Sequence, residues 1–228
     1  VASSLTPHVT EARRADDPPP KRRWALRIVG ALAAALAALL ALTVAAAFVL
    51  SVRVDGSSML PTLRTGERLL PQPGSGGSVQ RFELVLLQRP GRPETLVKRV
   101  IALPGDRVEI VSTPADPYQV LVQPGGSGRW YRVRVDGWVS QAHRSSSCCG
   151  PDGTRSDGPR AQTVPPGAFF YLGDDPDGSY DSRAYGWGRT DLVTARVWLR
   201  LWPFAGPSVL TGGARLERVQ PPAGTSTR

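Results

Sequence analysis

Hydrophobic and polar positions divide this chain into blocks of different period. Residues 1 to 23 follow neither the strand nor the helix repeat, and Asp17-Pro18-Pro19-Pro20 leads into Lys21-Arg22-Arg23, so a disordered tail is expected there. Ile28 to Leu50 carries no charge at all. At about 1.5 Å per residue, a helix of that length reaches about 34 Å, enough for a hydrocarbon core of roughly 30 Å. A transmembrane helix is therefore predicted over 24–50. Lys21, Arg22, Arg23 and Arg27 precede it, so the positive-inside rule keeps the amino terminus in the cytoplasm and sends the rest outside the cell membrane. Ala45-Ala46-Ala47 resembles a cleavage site, which leaves a removed secretory signal as the rival reading; the apolar run continues through Phe48-Val49-Leu50 and exceeds an ordinary signal core.

After residue 50 the pattern shortens. Runs at Glu67 to Leu70, Phe82 to Gln88, Thr95 to Leu103, Arg107 to Ser112, Tyr118 to Gln123, Trp130 to Val135, Ala168 to Leu172 and Ala195 to Trp202 are Val- and Leu-rich and bounded by Gly and Pro. They predict strands and turns with no long amphipathic helix. One β-rich domain is expected over 51–212, interrupted by a polar surface insertion at about 140–163 and followed by a second disordered tail, 213–228. The fold class expected is mainly β: an antiparallel sheet or partial barrel outside the membrane, behind one N-terminal transmembrane helix.

Composition changes this picture in three ways. The net charge of +9 is diffuse and lacks the clustered, aromatic-interleaved cations of a nucleic-acid binder, so the partner it suits is an anionic lipid surface, or no partner beyond water. Cys148 and Cys149 are adjacent, and no histidine or further cysteine completes a metal set; a vicinal disulfide, an intermolecular pair and free thiols all stay open. No metal or cofactor is expected. Finally, Lys21 and Lys98 are the only lysines among 28 Lys plus Arg. Lys98 stands in an apolar run, and only lysine of the two cations loses its proton readily enough to act as a base.

Three segments could carry chemistry. Asp55-Gly56-Ser57-Ser58-Met59-Leu60-Pro61-Thr62-Leu63 puts a serine on a tight turn just beyond the span. Leu96-Val97-Lys98-Arg99-Val100-Ile101-Ala102-Leu103-Pro104-Gly105-Asp106 embeds the lysine among apolar residues, where burial lowers its pKa. Moving it from about 10.4 to about 8 takes roughly 3 kcal/mol. The third, Val164-Pro165-Pro166-Gly167 through Gly173-Asp174-Asp175 to Ser179-Tyr180-Asp181-Ser182-Arg183, delivers a strand into an acidic loop that lacks the spacing of a calcium loop.

In this order the segments resemble the type I signal peptidase family of membrane serine-lysine endopeptidases. The resemblance implies Ser58 as nucleophile and Lys98 as general base, with Gly56, Ser57 and Ser179 supporting the oxyanion site and the lysine. It implies a structural ion pair of Asp181 with Arg183, and a substrate pocket of Val54, Met59, Leu63, Leu96 and Val97 for small residues. The implied activity is removal of signal peptides from exported preproteins after small-x-small sites. Preprotein signal peptides and membrane lipid are then the partners, with the secretion translocon as a further candidate. Asp175 and Pro176 stand where Asn and Arg are usual, Phe82-Glu83 replaces a common Gly-Asp, and Gly56 stands where some members have a serine. Two alternatives stay open: a catalytically weak membrane-tethered β domain that binds export partners, which those departures allow, or a maturation protease dedicated to one precursor. A Ser-His-Asp hydrolase is disfavoured because His8 and His143 lie in the tail and the insertion. Trp198, Trp202 and Phe204 suit either a membrane interface or the core of the last strand.

Overall fold

The computed structural model describes residues 20–73, 78–89, 91–92, 94–113, 116–138, 147–203, 209–210 and 213–219. The expected tail through residue 19, His8, insertion residues 139–146 with His143, Phe204 and residues 220–228 lie outside that set. The chain forms two compact units, Val1–Ala46 and Ala47–Arg228.

The first unit is made by helix α1, Pro20–Leu50, which begins a few residues before the charge-free stretch. Over Arg23–Leu50 its best window has a mean hydropathy of 2.5, long and apolar enough to cross a membrane. Leu32, Leu36, Leu39 and Leu42 are all exposed. A helix that is apolar all round and unburied has the surface of a lipid-facing span.

The second unit is built from strands β1 (Val52–Arg53), β2 (Arg68–Pro73), β3 (Leu84–Gln88), β4 (Thr95–Ala102), β5 (Arg107–Thr113), β6 (Asp116–Gln123), β7 (Tyr131–Val135), β8 (Gln162–Thr163), β9 (Ala168–Leu172), β10 (Gly188–Arg189), β11 (Val193–Trp202) and β12 (Ala214–Arg218), with a single-turn helix α2 (Ser182–Tyr185). One sheet has the order β1-β2-β11-β3-β4-β9-β10 and the other β12-β7-β6-β5-β8. All these neighbours pair antiparallel. The mainly antiparallel β class read from the sequence is the class observed.

The central strands are apolar because both faces are covered. β3 and β9 are buried almost throughout, and Leu84 and Leu86 join Met59, Leu63, Leu69 and Val197 in one core while Val85 and Leu87 join Val100, Phe169 and Tyr171 in another. That split follows from the two-residue side-chain period of a strand. The second sheet gathers Val108, Ile110, Val120, Val122 and Val133 with Phe170 in a third core. At the sharp link between β4 and β5, Asp106 accepts hydrogen bonds from the Leu103 and Gly125 amides and from Arg81.

Two expectations need correction. Residues 147–163 are not simply a surface insertion: Cys148 and Cys149 form a vicinal disulfide, are fully buried, and pack in the third core. Cys148 also exchanges main-chain hydrogen bonds with Ile110 on β5, so the segment extends the sheet edge. Nor is the chain loose from residue 213, because Ala214–Arg218 pairs with β7 from Ala214↔Val135 to Arg218↔Tyr131. Ala214 and Leu216 pack on the third core, while Glu217 and Arg215 make exposed ion pairs with Arg134 and Asp136. Trp198 and Trp202 are 42% and 47% exposed, which removes the core reading for both.

Candidate active site

β4 positions the lysine. Its Cα partner on β3 is Val85, and Val100 two residues on is fully buried, so Lys98 leaves the strand in apolar surroundings and keeps only 2% of its surface exposed. Burial pushes its pKa down to about 8, against the opposing pull of Asp181 and Asp174 and with some help from Arg183. An amine there is neutral far more often than a surface lysine.

The loop after β1 positions the serine. Gly56 has φ +96°, a left-handed value that costs glycine little, and its carbonyl accepts from the Thr65 hydroxyl at 2.9 Å. The Leu60 amide closes a turn on the Ser57 carbonyl, and Met59 and Leu63 bury themselves beneath. Ser58, half-buried, is thereby turned toward β4, and Lys98 Nζ lies 2.6 Å from Ser58 Oγ in a direct hydrogen bond. The two groups are forty positions apart in sequence.

The acidic loop after β9 braces both. Asp174 takes two hydrogen bonds from Arg99, at 2.8 and 2.6 Å, and one from the Thr62 hydroxyl, tying β4 to the serine loop through a fully buried ion pair. The Asp175 amide donates to the Ser58 carbonyl at 3.2 Å, while the Asp175 carboxylate accepts from the Asp177 and Gly178 amides. Asp181 and Arg183 form a second buried two-bond pair, and Arg183 also donates to the carbonyls of Pro176 and Ser179. Among the described residues no group of three or more His, Cys, Asp and Glu is placed to hold a metal.

Gly173 marks the tightest point. A Cβ there would strike the Ser179 hydroxyl and the Ser58 carbonyl. The Ser179 Oγ is buried and, among the described residues, has no hydrogen-bond partner, so the bond from Ser179 to Lys98 implied by the resemblance is not made here. The Ser179 hydroxyl lies against Gly173, and the lysine amine is bonded to Ser58.

β4 has an open flank. It pairs with β3 along Thr95–Arg99, but β9 meets it only from Arg99 onward, because the chain turns away after Leu172. Val100 exchanges main-chain bonds with Glu83 and Phe82 on the β3 side. Alternation then points the amides and carbonyls of Val97 and Thr95 into the lane that β9 has left. Val97 packs on the core formed by Val54, Met59 and Leu63, and those three are themselves almost wholly buried; Leu96 is half-buried.

The sequence reading missed the Arg99–Asp174–Thr62 connection. Its one local signal is an arginine kept beside a lysine within an apolar strand.

An antiparallel β domain thus holds the Ser58 hydroxyl against the buried Lys98 amine. A family profile described as signal peptidase, peptidase S26, matches residues 22–202. Among curated proteins, a signal peptidase I from Bacillus caldolyticus is 32% identical over 156 residues, covering 66% of this chain and 78% of the relative. A signal peptidase IB from Staphylococcus aureus is 27% identical over 154 residues, covering 67% and 77%. A solved signal peptidase I from Enterococcus faecalis V583 aligns with a TM-score of 0.35 at 23% identity, over 54% of this chain and 98% of that one. The chain belongs to the signal peptidase S26 family, and is a peptidase of that kind.

Proposed function

We propose that the protein is a membrane-anchored serine endopeptidase that removes signal peptides from exported preproteins, with Ser58 as nucleophile and Lys98 as general base. The observation that carries this is the 2.6 Å contact between the Ser58 hydroxyl and an amine that burial keeps from holding its proton tightly. Lys98 takes the Ser58 proton as Oγ attacks the scissile carbonyl carbon. The Ser58 amide stabilises the resulting oxyanion. Collapse breaks the C–N bond, and the Lys98 ammonium returns the proton to the leaving amine. The freed amine then activates a water that hydrolyses the acyl-serine ester and restores the site.

The open flank of β4 suits an extended peptide added as a strand, its main chain bonding to Thr95 and Val97 and its alternate side chains entering small pockets near Val97. Membrane topology supports a signal-peptide substrate. Ser58 follows α1 by eight residues, a tether of at most about 27 Å even when extended. With the basic cluster inside, the site stays close to the outer leaflet, where a translocated signal peptide presents its cleavage point. The Cys148–Cys149 disulfide suits an oxidising compartment outside the cytoplasm. Exposed Trp198 and Trp202 suit contact with the lipid interface.

The test is cleavage of a preprotein bearing a small-x-small site by membranes containing this chain. Ser58→Ala and Lys98→Arg should each abolish it, Lys98→Arg because guanidinium cannot take the proton at working pH. Unchanged cleavage in either variant ends the assignment.

A further inference from the structure

The lane beside β4 has a closed end. At Gly173 the β9 chain, the Ser58 carbonyl and the Ser179 hydroxyl are packed too tightly for one methyl group. If the residues before the cut lie along Thr95–Val97, as the proposed function has it, the residues after the cut cannot continue in the sheet. The loop that packs on Gly173 through Ser179, running from Pro176 to Tyr180, is the surface they would then meet.

That loop carries a prominent ring. Tyr180, next in sequence to Ser179, is 70% exposed, yet it is held in place: its ring stacks on Tyr185 at 6.2 Å and 28°. Tyr185 is fixed in turn by the Arg89 guanidinium, 4.0 Å above its ring, and Arg89 comes from the far side of β4, just beyond β3. Tyr180 also lines a cavity of about 230 Å³ together with Pro176 and Arg155. Its charged lining is Arg155, Asp177 and Arg183, the last paired with Asp181, and Arg89 lies across the ring pair. An immobilised aromatic face lowers the entropic cost of contact, and a flanking guanidinium repels a cation.

We infer that Tyr180, backed by Tyr185 and Arg89, receives the first residues of the substrate after the scissile bond and favours aromatic side chains there over cationic ones. The inference rests on the cleavage reading above, and the two fail differently. The test uses the chain in detergent with paired peptides that share every residue before the cut and differ by Phe or Lys at the first or second position after it. Stacking of ordinary strength gives a preference for Phe of about five-fold in kcat/KM at one of those positions. Tyr180→Phe should keep that ratio, Tyr180→Ala should bring it to within about two-fold of unity, and Arg89→Glu should improve the Lys peptide relative to its partner. A wild-type ratio near one, or a ratio untouched by Tyr180→Ala, overturns the inference while leaving the peptidase intact. Cleavage that survives Ser58→Ala would instead overturn the mechanism on which it stands.

Discussion

At the scale of single residues, Lys98 as the proposed base would link stability to activity. Its folded pKa of about 8 lies below the unfolded value, so between about 8 and 10.5 the unfolded chain binds a proton that the folded chain does not. Raising pH through that window favours folding, and below it the buried ammonium is a standing cost. Lys98→Met should therefore abolish cleavage while stabilising the fold near pH 7 by about 1–3 kcal/mol, read from denaturant melts at pH 7 and pH 10. The gain should shrink at the higher pH. In the native protein kcat/KM should climb about ten-fold from pH 7 to pH 9 as the amine loses its proton, and a flat profile over that range would contradict Lys98 as base. Gly173 is the other sensitive position. Gly173→Ala forces the Ser58 carbonyl or Ser179 to move, so activity should fall by about 10²-fold through displacement of the reacting groups, with kcat affected more than KM.

At the scale of elements, the loop after β9 works as a brace whose strength comes from buried charge pairs. Asp174→Ala would leave Arg99, 1% exposed, without its partner, and should cost about 3–5 kcal/mol in thermal or denaturant melts. Asp175→Asn should be mild, within about three-fold in kcat/KM, since an amide oxygen accepts the same two loop hydrogen bonds from Asp177 and Gly178. The contrast explains what the sequence could and could not show. β3, β4, β9 and β11 were legible because buried strands need unbroken or alternating Val, Leu and Phe, and Lys98 was legible as the one cation in such a run that can deprotonate. The pairing of Arg99 with Asp174 spans seventy-five positions and leaves no local period. β12 has only Ala214 and Leu216 as apolar positions among its charged residues, and Cys148 and Cys149 look polar in context until the disulfide removes their thiols and the core encloses them. The Ser179 hydroxyl, without a hydrogen-bond partner among the described residues, could be seen only in three dimensions.

At the scale of the whole molecule, the expectation is one membrane crossing with the β unit outside. Protease added to intact cells stripped of their wall should digest the β unit and spare the amino-terminal segment, whereas protection of the β unit would reverse the orientation. The lane beside β4 bears on a separate matter. Because it offers peptide groups to be matched by peptide groups, the lane under the proposed function asks of a visiting chain, beyond small side chains before the cut, that it be extended and free of imino acids where it meets Val97. A newly emerging polypeptide satisfies this for a short time only. Once its own helices or sheets have drawn those residues in, the opportunity for cutting has passed, so the geometry of one missing strand sets a deadline on maturation.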